Sequence, residues 1–183
     1  MSDAFKHGGI FLMRIALAIC AAVVLLTGLP SAPAAAATLD EAFPAPYWRK
    51  GETASGFGFD CVTDTCVPPA HVIFTRAPAN PAMAGKIRSG AINRTWAEKL
   101  AVTFRRQQGD KVTVLNFEVQ QGQVPSWSMV YECNCEGRTN FISSRTIAGE
   151  KATMTFYSMA TSVDLAQENL NKLIDATLGA SER

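Results

Sequence analysis

Four cysteines in two close pairs are the residues of this sequence best suited to carry chemistry. Cys61 and Cys66 enclose four residues, and Cys133 and Cys135 enclose one. In an oxidising compartment four cysteines form two disulfides, and three connectivities are possible. In an extended strand the Cα atoms of residues i and i+2 lie about 7 Å apart, near the upper limit for a disulfide. We therefore expect cross-pairing, with Cys61 and Cys66 bonded to Cys133 and Cys135.

The same four sulfurs have two alternative uses. Four thiolates could bind Cu(I) or Zn(II), with soft methionine neighbours at Met83, Met129, Met154 and Met159. The Cys-x-Cys pair could instead act as a redox dithiol. The spacing differs from the CxxC pairs of zinc knuckles and of common redox motifs. The sequence thus predicts structural disulfides with no metal and no cofactor, and the alternative is a thiol-based metal carrier or redox-active protein.

Other catalytic patterns are weak. His71 is the only histidine outside the first 37 residues, and it follows Pro68 and Pro69 at the start of a short strand pattern. A Ser-His or Cys-His hydrolase would have to use it. The sequence also lacks the HExxH motif and a glycine-rich phosphate loop before a helix. We therefore predict no catalytic residues, and the sequence favours a protein that is not an enzyme.

Two groups of residues are candidates for contact with a partner. Between Arg76 and Lys111 there are eight basic and two acidic residues. This excess predicts a basic contact surface for an anionic partner, formed by Arg88, Arg94, Arg105 and Arg106. Tyr47 and Trp48 are predicted to add an aromatic contact. An envelope protein, a glycan or another anionic ligand would fit, whereas the net charge of +1 argues against a general nucleic-acid binder.

The amino terminus has the pattern of an export signal. Arg14 precedes an apolar run over residues 15–29, and small residues follow up to Ala37. The run is too short to cross a bilayer, which requires about 20 residues. A basic start, an apolar middle and a small-residue end are typical of a secretory signal peptide. The sequence predicts a signal peptide over residues 1–37, cleavage near Ala37, no remaining membrane span, and a periplasmic or secreted product.

The rest of the chain has the size of one domain. Residues 38–70, rich in proline and glycine and carrying the first cysteine pair, are predicted to form an irregular arm. Residues 71–179 are predicted to form the folded domain, and residues 180–183 a tail. A strand is expected over 71–76, and a helix over 95–108, where Thr95 and Glu98 fit a capping box.

Alternating apolar residues then predict four strands, over 111–119, 126–133, 141–147 and 152–159, joined by short turns. A second helix is expected to begin at Thr161 or Ser162 and to end at Gly179. The order of elements predicts an α+β domain in which two helices pack on an antiparallel meander of four to six strands. Together these features predict an exported, disulfide-stabilised binding or accessory protein of the cell envelope.

Overall fold

The computed structural model describes residues 37–103, 110–135 and 137–179. These residues form seven strands, four α-helices and one short 3-10 turn, Asp64–Cys66. The strands are β1 (Trp48–Thr53), β2 (Gly56–Cys61), β3 (His71–Pro78), β4 (Lys111–Gln120), β5 (Ser126–Cys135), β6 (Arg138–Ala148) and β7 (Ala152–Ala160). The helices are α1 (Leu39–Ala42), α2 (Pro81–Arg88), α3 (Arg94–Val102) and α4 (Val163–Leu178).

The strands form one antiparallel sheet in the order β1-β2-β3-β7-β6-β5-β4. The predicted α+β class and the meander of the last four strands are confirmed. A second meander, β1 to β3, joins the first because β3 pairs with β7. Between β3 and β4 the chain crosses to the far edge of the sheet through α2 and α3.

The predicted count of four to six strands was too low, because residues 38–70 are not an irregular arm. They contain α1 and the β1-β2 hairpin, which extends the sheet beyond β3. The glycines of this segment led us to predict an irregular arm, but in the structure they allow close pairing of strands. A Cβ at Gly56 would overlap the carbonyl oxygen of Phe74, and one at Gly58 would lie 2.9 Å from that of Val72. Glycine therefore marks a close approach of β2 to β3.

The helix count was also too low. Helix α2 was not predicted. It begins at Pro81, a position where proline is tolerated, and the Asn80 side chain caps it. The cap of α3 is Asn93 rather than Thr95, since Asn93 Oδ1 accepts a hydrogen bond from the Trp96 amide at 3.0 Å. The predicted end of that helix, up to residue 108, lies largely outside the described residues. Helix α4 is confirmed, and Ser162 caps its start.

The core lies on both faces of the sheet. Helix α4 packs against β3, β6 and β7 on one face, and α2 and α3 pack against β4, β5 and β6 on the other. The first core is centred on the following residues: Phe59, Val72, Phe74, Phe156, Ala166, Leu170, Leu173 and Ile174. The second contains these: Ile87, Ile92, Ala97, Ala101, Val114, Trp127, Met129 and Ile142. None of the described helices is long and apolar enough to cross a membrane.

Candidate functional site

The cysteines pair locally. Cys61 is bonded to Cys66 with a Cα–Cα distance of 5.7 Å, and Cys133 is bonded to Cys135 with a Cα–Cα distance of 5.3 Å. The predicted cross-pairing was therefore wrong. Cys61 lies on β2 and Cys133 on β5, with β3, β7 and β6 between them. At about 4.8 Å per strand this separation is about 19 Å, which no disulfide can bridge.

The Cys133–Cys135 bond closes where β5 ends and turns toward β6. Side chains two residues apart on a strand lie on the same face, so the two sulfur atoms start on the same side. The estimate of about 7 Å assumed a fully extended backbone, whereas the Cα atoms here are only 5.3 Å apart. Gly137, with φ of 75°, lies in the adjoining turn.

The structure does not bring the four sulfurs together as a metal site would require. Each sulfur is bonded within its own pair, and the two pairs lie on strands four positions apart. Met129 packs in the core beneath α2 and α3, whereas Met154 packs on the opposite face beside α4. Within the described ranges no three His, Cys, Asp or Glu side chains are grouped as metal ligands.

The first disulfide instead organises a surface that we call the clipped loop: residues 61–67 together with Tyr47. The Val62 amide donates a hydrogen bond to the Tyr47 carbonyl oxygen at 3.0 Å, and Cys66 Sγ lies 3.2 Å from that same oxygen. Large apolar side chains are displayed here, since Tyr47 is 40% exposed, Val62 44% and Val67 48%. Pro46, Pro68 and Pro69 around them are also exposed. The result is a rigid apolar surface.

Val67 has an unusual backbone. Its φ is 58°, and among the described residues it is the only one other than glycine with a positive φ. A β-branched residue in the left-handed region is a true outlier, and such strain is concentrated at functional sites. An asparagine or glycine would adopt this conformation at lower cost. The valine side chain at this position, half exposed, therefore costs stability without adding to the core.

Only one of the two residues predicted to form the aromatic contact is exposed. Tyr47 is exposed, but Trp48 is 9% exposed and lies in the core. Its ring packs edge-on against Phe43 with the centroids 5.1 Å apart, and Phe43 in turn stacks on Phe59. A tryptophan that fills the core in this way is not available to a partner. The exposed apolar residues of the clipped loop are therefore Tyr47, Val62 and Val67.

The predicted basic surface is described in part. Arg105 and Arg106 lie outside the described residues. Arg94 donates to the Val114 carbonyl at 2.9 Å and to Glu98 Oε1 at 3.2 Å, so its guanidinium braces α3 against β4. Arg88 donates to the Gln123 carbonyl at 3.2 Å.

Arg88 and Arg94, the described members of the predicted basic surface, lie away from Tyr47. Their helices, α2 and α3, pack against strands β4 to β6, whereas Tyr47 directly precedes β1 at the opposite edge of the sheet.

His71 lies on β3, with its ring stacked on Tyr157 at a centroid distance of 5.6 Å. Tyr157 hydrogen-bonds to Tyr131, and burial raises the pKa of Tyr131 far above the usual value, with Tyr157 as a further cause. Tyr157 on β7 thus contacts His71 on β3 through ring stacking and Tyr131 on β5 through a hydrogen bond. A histidine that acts as a general base must lie within hydrogen-bonding distance of the group from which it takes a proton. We predict no catalytic role for His71.

Comparisons with known proteins give no family. No protein-family model matches this chain, and no curated protein matches it. Among solved structures, the solution structure of cyanobacterial PsbP (CyanoP) from Synechocystis sp. PCC 6803 superposes with a TM-score of 0.43 at 8% identity. The match covers 72% of this chain and 80% of that chain. This likeness is weak, so the functional argument rests on the geometry of this chain alone.

Sequence reasoning missed Val62 and Val67. Both adjoin the first cysteine pair, in the stretch Cys-Val-Thr-Asp-Thr-Cys-Val-Pro-Pro. The available signal was that each valine stands among polar or turn-forming residues, without the alternating neighbours that would bury it. A short disulfide loop has no core of its own, so apolar residues within it are displayed on the surface.

Proposed function

We propose that this chain is an exported, disulfide-stabilised binding or accessory protein of the cell envelope, and that it acts through contact at the clipped loop rather than through catalysis. The observation that carries the proposal is the grouping of Tyr47, Val62 and Val67. All three are exposed apolar residues, and the loop that carries the valines is closed by a disulfide and joined to Tyr47 by a backbone hydrogen bond. Apolar side chains fixed in one geometry lose little entropy on binding.

Export is supported by the state of the cysteines. Two disulfides persist in an oxidising compartment, whereas the cytosol keeps thiols reduced. The basic and apolar pattern of residues 1–37 fits the same route. The periplasm or the extracellular space is thus the proposed location.

The proposed partner is another envelope protein whose contact surface is apolar at its centre and basic at its rim. Residues 38–70 carry five acidic and two basic side chains, so the surroundings of the clipped loop are negatively charged. Asp64 lies within the loop and is exposed, while Asp60 is paired with Arg49 at 3.6 Å. A basic rim would complement this charge, and the apolar centre would cover the tyrosine and the valines.

Site-specific photo-crosslinking in intact cells tests the proposal. A benzophenone amino acid replaces Val62 or Val67 in two variants, and Val124 in a matched control. Val124 is 57% exposed but lies in the β4–β5 connection, at the opposite edge of the sheet. We expect one discrete protein adduct from positions 62 and 67, found in the envelope fraction, and none from position 124.

Binding of the purified pair then measures the contact. Val67→Ser and Tyr47→Ser should each weaken the dissociation constant about tenfold, as expected for a residue at the centre of an interface, and Val124→Ser should leave it unchanged. Equal adducts at all three positions, or none at 62 and 67, would exclude the clipped loop as the contact. Recovery of the full-length chain from the cytosol with reduced cysteines would exclude export.

A further inference from the structure

A second surface, remote from the clipped loop, has the form of a small-molecule site. Helix α4 covers β3, β7 and β6 on its face of the sheet, and no described helix covers β4 and β5 there. A groove of about 310 Å³ lies between α4 and β4. This volume is at the lower end of the range for ligand pockets. The groove therefore has room for a molecule of about the size of a dipeptide.

Short side chains keep the floor of this groove open. The floor is formed by serines of β5 and β6, which are Ser126, Ser128 and Ser143. Longer polar side chains stand on either side. From β4 come Asn116, Glu118 and Gln120, and from α4 come Gln167 and Asn171. A polar lining of this kind is unfavourable for an apolar ligand and suits one that is rich in hydrogen-bonding groups.

Opposite charges face this floor without neutralising each other. Glu118 pairs with Ser128 across β4 and β5, and Ser128 pairs with Arg145 across β5 and β6. The Cα atoms of Glu118 and Arg145 are thus about 10 Å apart, two strand spacings, with only a serine between them. Both side chains are long enough to meet, yet the ion pairs among the described residues do not include one between them.

Each charge is held in place by a neighbouring amide. Asn116 Nδ2 donates to Glu118 Oε1 at 3.0 Å, and Arg145 Nη2 donates to Gln120 Oε1 at 2.9 Å. Ser126 Oγ donates to that same Gln120 oxygen at 3.1 Å. A carboxylate has about four acceptor positions and a guanidinium has five N–H donors, so both retain capacity for a ligand. Arg145 thus extends across the serine floor to Gln120 on β4, the strand of Glu118, so that a basic and an acidic group border the same polar groove.

We propose that this groove binds a small zwitterion of dipeptide size, with its ammonium group at Glu118 and its carboxylate at Arg145. The volume of the groove admits a molecule of this size, and a carboxylate and a guanidinium each form strong charged hydrogen bonds with groups of opposite charge. The amides of Gln167 and Asn171 are suited to the peptide group. A simple anion would be repelled by Glu118, and a neutral polyol would leave both charges unpaired.

Isothermal titration calorimetry of the mature protein with a panel of unmodified dipeptides, L-alanyl-L-alanine among them, tests this. At least one dipeptide should bind with one-to-one stoichiometry. Its N-acetyl form, which lacks the ammonium, and its C-terminal amide, which lacks the carboxylate, should each bind about tenfold more weakly or worse. Amide chemical shifts of Ser128 and Asn171 should move during the titration.

Two variants test the two charged groups. Glu118→Gln should weaken binding of the unmodified dipeptide about tenfold and leave binding of the N-acetyl form unchanged. Arg145→Gln should likewise weaken binding of the unmodified dipeptide about tenfold and leave binding of the C-terminal amide unchanged. Glu150→Gln and Arg49→Gln, exposed and outside the groove, are the matched controls and should change nothing. Shifts at Ser128 observed by NMR on each variant also show that it is folded.

Three outcomes would overturn the proposal: no dipeptide binds, the modified forms bind as well as the unmodified ones, or the two variants bind like their controls. Binding of sugars or dicarboxylates with shifts at Ser128 would overturn the zwitterion specificity. The contact at the clipped loop lies near the opposite edge of the sheet and involves none of these residues. Its crosslinking result is therefore independent of this one.

Discussion

Val67 tests whether the backbone of the clipped loop is strained. The variant Val67→Gly should be more stable than Val62→Gly, which is the same substitution elsewhere in the loop. Val67 and Val62 lie in one loop and are 48% and 44% exposed. Val67→Gly and Val62→Gly lose the same side chain and add the same freedom to the unfolded chain. They differ in backbone conformation, since only Val67 has a positive φ.

The left-handed conformation costs an L-residue about 1–2 kcal/mol, and glycine does not bear this cost. Because the other contributions cancel, the free energy of unfolding of Val67→Gly should exceed that of Val62→Gly by about 1–2 kcal/mol. For a domain of this size the midpoint temperatures should differ by about 2–8 °C. Urea unfolding followed by tryptophan fluorescence, together with calorimetry, measures both quantities.

Equal stabilities of the two glycine variants, within about 0.3 kcal/mol, would refute the reasoning. Such a result would mean that Val67 is not strained in solution. A second result would explain why the strain is retained. If Val67→Gly is the more stable variant and no longer binds the crosslinked partner, the protein keeps a strained valine at a cost in stability because the exposed side chain is needed for contact.

The remaining predictions concern the cysteines, the strand pairing and a buried phenol. The protein without residues 1–37, which contain Cys20, should show no free thiol by titration in denaturant, and four after reduction, whereas any free thiol before reduction would contradict the pairing. Gly56→Ala should lower the free energy of unfolding by about 1–3 kcal/mol, because its Cβ would meet the β3 backbone. Gly51→Ala is the control, since nothing lies within 4 Å of a Cβ at that position, and it should change the free energy of unfolding by less than about 0.5 kcal/mol. Similar losses from both substitutions would contradict the close approach of β2 to β3. Burial raises the pKa of Tyr131, so the stability this group confers is complete below the unfolded pKa of about 10 and is lost as the pH rises above it. Between about pH 8 and pH 11 the wild type should therefore lose about 1 kcal/mol more than Tyr131→Phe in urea unfolding, and equal losses would show that this phenol is not buried.

Local patterns were sufficient for the second half of the chain. Trp127, Met129 and Tyr131 occupy alternate positions, and the structure places all three in the core beneath α2 and α3. A serine cap and a glycine end defined α4. In these segments each neighbouring strand is also the next one along the chain, so short turns determine the pairing.

The sequence patterns did not predict the pairing of strands that are far apart along the chain. The β1-β2 hairpin was missed because Gly56 and Gly58 of β2 are explained only by β3, which lies beyond the disulfide loop. The wrong disulfide connectivity had the same origin, since nothing in the spacing of the cysteines reveals that β2 and β5 are four positions apart. The groove was missed because Glu118, Ser128 and Arg145 belong to three different strands. Each of them alone is an ordinary polar residue on an alternating strand.

The last strand in the described part of the chain is the middle strand of the sheet. Strand β7 has three strands on either side of it, and β3 has no neighbour on that side until residues 152–160 are available. During synthesis β3 therefore cannot complete its hydrogen bonds before β7 has been made. Pairing over such a long sequence separation delays the formation of tertiary structure. If the chain is exported as we propose, this delay favours an extended polypeptide during passage through a translocation channel.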